Sequence, residues 1–127
     1  MAGLSFKKGK ETTYPWPITV KLPSQATAGR FTDHSFIANF KVLPTSESRA
    51  MVAEADRARD AGRSGDAMDL DKGILREVMQ GWSGLEEEFT AENLEECMDN
   101  PFFLTGLING YRKSISGEGA QARTVKN

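Results

Sequence analysis

Cysteine and histidine are nearly absent from this chain of 127 residues, which contains one of each. The single cysteine, Cys97, excludes an internal disulfide and is typical of a reducing compartment. One cysteine and one histidine cannot supply the usual ligands of a zinc site. His34 stands between Asp33 and Ser35, but adjacent residues of a strand point to opposite faces, which disfavours a catalytic triad.

Long apolar runs and nucleotide-binding motifs are also missing. No run approaches the roughly 18 to 20 apolar residues of a membrane span, and the N-terminus lacks the apolar core of a secretory signal. There is no phosphate loop or dinucleotide fingerprint, and "DLDKG" at 69–73 lacks the later glutamate of a calcium loop. We therefore expect a cytoplasmic protein that is not an enzyme, with no catalytic residue, no metal, no cofactor and no membrane partner.

Charge is distributed unevenly along the chain. Residues 1–44 hold six bases and two acids, whereas residues 86–99 hold seven acids and no base. The bases are not concentrated as a nucleic-acid-binding face requires, so we expect no nucleic-acid partner. The separation either guides a protein partner or marks solvated faces.

Alternating apolar residues predict two strands in the first third of the chain. Residues 14–22, "YPWPITVKL", place every second side chain on one apolar face, and residues 36–42 repeat the pattern. Their separation predicts an antiparallel β-hairpin. Pro15 and Pro17 cannot donate hydrogen bonds to a neighbouring strand, so the first part of this strand should be either an edge or a lead-in to the strand.

Helical patterns follow to the end of the chain. The hydroxyls of "TSES" should cap an alanine-rich surface helix that ends near Gly62, followed by a flexible joint, "GRSGDAMD". An apolar stripe over 70–82 predicts a second helix that runs to Trp82. Thr90 is placed to cap a third helix, and Pro101 to open a fourth.

Together these elements predict an α+β fold, in which an N-terminal β-hairpin precedes about four α-helices and helices dominate the C-terminal half. We expect a single domain over residues 1–117, with residues 1–13 flexible and a disordered tail at 118–127. In the last helix, Gly106 and Gly110 form a G-x-x-x-G spacing that allows close helix approach. Trp82, between Gly81 and Gly84, suits either core packing or a half-buried contact with a partner.

The order of several short patterns resembles a known family. They are "FIANFKVL" at 36–43, "VMQGWSGL" at 78–85, "FTAENL" at 89–94 and a final helix with tyrosine. This order is similar to that in the tail assembly chaperones of long, non-contractile-tailed bacteriophages and their prophages. The resemblance covers residues 18–127, and it departs from the family pattern at "LEEEF", where the turn is shorter than usual.

The resemblance implies a non-enzymatic role in tail morphogenesis. Family members bind the tape-measure protein in the host bacterial cytoplasm, keep it soluble, help to recruit tail-tube subunits, and are absent from the mature virion. The expected partners are thus the tape-measure protein and the tail-tube protein, with self-association as a further possibility. An apolar furrow between helices would hold the partner, with contacts from the following residues: Trp82, Leu85, Phe102, Phe103 and Tyr111.

Two other classes of protein remain open at this stage. A structural tail-completion or terminator protein would be part of the virion, although such proteins usually contain larger sheets than two strands. A small enzyme or ligand-binding domain would be stabilised by a specific small molecule.

Overall fold

The fold is taken from a computed structural model, which describes residues 12–116. The predicted tail at 118–127 and most of the segment predicted to be flexible at 1–13 lie outside the described residues; Thr13 itself opens the first strand. In chain order the elements are β1 (Thr13–Pro23), β2 (Phe31–Lys41), α1 (Thr45–Asp60), α2 (Ser64–Val78), β3 (Met79–Ser83), α3 (Ala91–Met98) and α4 (Pro101–Ser116). The predicted α+β class, with its N-terminal hairpin and four helices, is confirmed.

The N-terminal hairpin forms as the alternation predicts. β1 and β2 pair antiparallel from Thr13 opposite Lys41 to Pro23 opposite Phe31. Alternate side chains such as Ile18 and Phe40 are fully buried, because they face the helices. β1 lies at the edge of the sheet, so one of its sides has no neighbouring strand. The N–H groups that its prolines lack are therefore not needed for hydrogen bonds between strands on that side.

The sheet has a third strand where the sequence predicted the end of a helix. α2 ends at Val78, and Met79–Ser83 turns into β3, which pairs antiparallel with β2. Trp82 therefore lies opposite Ala38 in the sheet, and the prediction that helix continues to residue 82 is wrong. The strand order is β1-β2-β3.

The first two helices pack together more closely than predicted. Ala55 and Ala58 on α1 are completely buried, because their small side chains let α2 approach; α1 is not simply a surface helix. Its "TSES" hydroxyls lie within the first turn, and no side chain caps the helix. The predicted flexible joint is also wrong, since α2 begins at Ser64, directly after a turn at Gly62 with φ of 77°.

The last two helices begin at the predicted residues. The hydroxyl oxygen of Thr90 accepts a hydrogen bond from the backbone N–H of Asn93 at 2.9 Å, which caps α3. The side-chain oxygen of Asn100 accepts from the N–H of Phe102 at 2.9 Å, immediately before α4. α4 then packs across β1 and completes the core. No helix within residues 12–116 has both the length and the apolar content to cross a membrane.

Candidate partner-binding groove

A surface groove of about 550 Å³ lies between the far end of the hairpin, the turn after β3 and the start of α4. Its apolar lining includes Leu22, Phe36, Leu85 and Phe103, and its rim carries the carboxylates of Asp33, Glu86 and Glu87. We call it the acidic groove. Its volume is in the range of pockets that hold a drug-sized ligand or several side chains.

Aromatic rings build the floor of the acidic groove. The rings of Phe36 on β2 and Phe103 on α4 stack with centroids 5.4 Å apart and planes only 6° from parallel. Trp82 packs edge-on against both rings, with centroids 6.4 and 6.2 Å away, and Phe89 packs edge-on against Trp82 at 5.0 Å. This interlocking arrangement fixes the floor, since edge-to-face pairs stabilise a specific geometry.

Trp82 also holds the turn that forms one wall of the groove. Its indole N–H donates to the backbone carbonyl of Glu87 at 2.8 Å. The side-chain amide of Asn93 donates to the carbonyl of Glu88 at 2.8 Å, so the acidic turn is attached to the protein at two carbonyls. Gly84 starts the turn with φ of 93°, a conformation that favours glycine.

The charge at the groove is of one sign. Glu86 and Glu87 form no ion pair within residues 12–116, whereas Asp33 pairs with Lys21 at 3.0 Å on the exposed face of the hairpin. No lysine or arginine lines the groove. Within the described part of the chain, no group of three or more His, Cys, Asp and Glu residues is arranged to hold a metal.

The five residues predicted to bind a partner do not form one surface. Leu85 and Phe103 line the acidic groove, and Trp82 lies beneath it. Phe102 precedes Phe103 on α4 and points to a different face of that helix. It is 38% exposed and lines a separate groove between α4 and β1. Tyr111 is 1% exposed and packs against Phe40 in the core, where burial raises the pKa of its hydroxyl to about 12.

The G-x-x-x-G spacing of α4 serves packing within the chain. A Cβ atom on Gly106 would lie 2.6 Å from the backbone oxygen of Thr19, and one on Gly110 would clash with the side chain of Ile18. The close approach predicted for these glycines therefore takes place between α4 and β1. That face of α4 is occupied, so a partner helix cannot use it.

His34 and Cys97 occupy ordinary structural positions. The ring of His34 forms a hydrogen bond with the hydroxyl of Thr32 at 3.1 Å, two residues away on the same face of β2. Cys97 is half-buried beside the core, and burial raises the pKa of its thiol, with the nearby carboxylates of Glu87 and Glu96 adding to the effect.

A buried carboxylate at Asp71 was missed by the reasoning from sequence. One of its oxygens accepts from the guanidinium of Arg59 on α1 at 2.7 Å, and the other lies 3.9 Å from Arg112 on α4. Arg112 also pairs with Asp56 at 3.0 Å, so the charges join three helices. A signal was present, because Asp71 lies within the apolar stripe, three and four residues before Ile74 and Leu75 on the same helical face, where a buried acid requires a partner.

The fold and the groove define a small α+β protein with an apolar, acid-rimmed groove on its surface. Comparison with known families then identifies it further. The family model described as "Phage tail assembly chaperone" matches residues 1–121, and the chain belongs to that family. Membership implies that its partners are phage tail proteins. No curated protein and no solved structure matches the chain.

Proposed function

We propose that this chain is a non-enzymatic chaperone that binds the tape-measure protein of a long-tailed phage or prophage and keeps it soluble during tail morphogenesis. Family membership supports a role in tail assembly. The acidic groove is the observation that supports a binding site for the partner on this surface. An apolar groove of this kind suits the apolar face of an amphipathic helix.

Leu85 is the residue through which this binding is best tested. It is half-buried on the groove wall, with a side chain open both to the groove and to solvent. Phe103 is a poorer choice, because it is only 9% exposed and stacks on Phe36, so its truncation would damage the core. Because the chaperone must later give way to tail-tube subunits, affinity at each groove should be modest and should accumulate over many copies along the partner.

The test is co-expression with the tape-measure protein. We expect the wild-type chain to keep the tape-measure protein in the soluble fraction and Leu85→Gln to lose most of that effect. Met68→Gln is the matched control, because Met68 is 46% exposed on α2 and lines none of the three grooves described. Equal rescue by folded Leu85→Gln and Met68→Gln, with unchanged circular dichroism, would reject the groove as the binding site.

We further propose that the protein acts in the host cytoplasm, helps to recruit the tail-tube protein and is absent from the finished particle. Mass spectrometry of purified virions tests this directly. Finding the chain there in stoichiometric amounts would instead favour a structural tail-completion or terminator protein.

A further inference from the structure

The acidic groove differs in charge from two other grooves on the protein. The groove between β1 and α4 is lined by Lys21 and Lys113 and by no acid. The groove between α1 and the end of α4 has both signs of charge. The acidic groove is lined by Asp33, Glu86 and Glu87, by His34, and by no lysine or arginine. Of these three grooves, only the acidic groove combines an apolar floor with a negatively charged rim.

Two of the three carboxylates at the rim, those of Glu86 and Glu87, are not neutralised by the protein itself, whereas Asp33 is paired with Lys21. Further along the acidic region, Glu95 pairs with Arg76, and Asp99 pairs with Lys72 at 3.2 Å. Across residues 12–116, Glu86 and Glu87 have no such partner. The hydrogen bonds to the carbonyls of Glu87 and Glu88 hold the backbone of the turn beside the groove, so the negative charges of Glu86 and Glu87 lie near whatever enters it.

We propose that the acidic groove binds a polypeptide segment whose apolar side chains are flanked by lysine or arginine. The inference rests on the proposed function and narrows it, since it specifies which segments of a tape-measure protein are bound. Apolar side chains would contact Leu85 and Phe103, and the flanking cations would face Glu86 and Glu87. Charge complementarity of this kind accelerates association and excludes acidic segments, which would be repelled.

Two synthetic helical peptides provide the first measurement. Both carry the same leucine stripe, but one has lysine and the other glutamate at the flanking positions. Binding of each labelled peptide to the full-length protein is followed by fluorescence anisotropy. We expect the lysine peptide to bind at least about tenfold more tightly at low salt. The ratio of the two affinities should fall as the salt concentration is raised towards 1 M, because the screening length is then about 3 Å and the charges interact only weakly. Equal affinities for the two peptides would overturn the inference.

Neutralising the rim provides the second measurement. The double variant Glu86→Gln/Glu87→Gln should bind the lysine peptide about fivefold more weakly, as expected for the loss of two solvent-exposed ion pairs. The matched control is Glu47→Gln/Glu54→Gln, which removes two exposed acids from α1, away from the groove. We expect this control to bind both peptides as the wild type does. An unchanged affinity in the groove variant would contradict the proposed role of the rim.

The two proposals fail in different ways. If Leu85→Gln abolishes rescue of the tape-measure protein while neutralising the rim changes neither rescue nor peptide preference, the groove is confirmed and the charge inference is overturned. If the lysine preference depends on Glu86 and Glu87 but Leu85→Gln leaves rescue unchanged, the charge inference stands and the tape-measure site lies elsewhere. Dimers in sedimentation velocity that the rim variant dissociates would also overturn the inference, because a second copy would then be the occupant.

Discussion

Replacing Gly106 with alanine should destabilise the protein, even though alanine is the better helix former. In a helix interior, alanine is favoured over glycine by about 1 kcal/mol. Here its Cβ would lie 2.6 Å from the backbone oxygen of Thr19 and 3.1 Å from a methyl group of Val20. A strand carbonyl cannot rotate aside as a flexible side chain can, so α4 or β1 must shift. Such overpacking costs about 1 to 3 kcal/mol, and after the gain in helix preference is subtracted we expect a net loss of about 1 kcal/mol, within a range of about 0 to 2 kcal/mol.

Gly73→Ala is a control variant for which we expect the free energy of unfolding to change in the opposite direction. Gly73 lies within α2, and a Cβ atom added there would have no atom within 4 Å apart from its chain neighbours and the nearby backbone of its own helix. Only the helix preference then acts, so Gly73→Ala should raise the free energy of unfolding by up to about 1 kcal/mol. Urea unfolding followed by far-UV circular dichroism measures both variants under the same conditions. We expect the midpoints to move in opposite directions.

The result that would refute this reasoning is a gain in stability for Gly106→Ala similar to that for Gly73→Ala. It would mean that α4 does not approach the backbone of β1 closely. The G-x-x-x-G face of α4 would then be free for a partner helix, and the case for the acidic groove would weaken.

Three further variants test the contacts around the groove and between the helices. Trp82→Phe keeps a ring in the floor but removes the indole donor, so amide hydrogen exchange at 84–88 should accelerate; unchanged exchange would show that this hydrogen bond does not hold the turn. Asp71→Asn should lower the free energy of unfolding in urea by about 1 to 3 kcal/mol, because it leaves guanidinium groups without their buried acid; a loss below about 0.5 kcal/mol would contradict this. Hydrogen bonds from Arg76 lower the pKa of Glu95 below its ordinary value of 4.5, so its stabilising effect is present above that pH and is lost on further acidification. Glu95→Gln should therefore have a shallower loss of stability between pH 5 and pH 3, and identical acid titrations would refute the assignment.

The elements that could be predicted are those whose signals are local. The hairpin follows from strict alternation, the start of α3 follows from Thr90, and the start of α4 follows from Pro101. In the structure, the side chains of Thr90 and Asn100 accept hydrogen bonds from N–H groups two or three residues later. These hydrogen bonds involve neighbours in sequence. The sequence therefore contains both partners of each contact within a single turn of helix.

β3 could not be predicted because its signal is not local. Met79 and Trp82 continue the helical spacing of α2, so the apolar pattern alone favours a longer helix. The strand has only five residues, and its structure depends on pairing with β2, some forty residues earlier in the chain. Such a long-range contact overrides a local preference. The candidate site was predicted only in part for the same reason: Leu85 and Phe103 were among the expected contacts, but Phe36 of β2 lines the groove with them only after α4 returns to the sheet.

The position of β3 explains why a tryptophan stands between two glycines. As the end of a helix, the segment would require no aromatic ring; as an edge strand, it places Trp82 over Phe36 and Phe103 with its N–H directed at the turn that follows. Gly84 lets that turn reverse at φ of 93°, a backbone conformation that favours glycine. One side chain thus supports the apolar floor of the groove and holds its acidic wall. Because both features depend on Trp82, a substitution there should alter the shape and the charge of the groove together, whereas Leu85→Gln and Glu86→Gln/Glu87→Gln separate them.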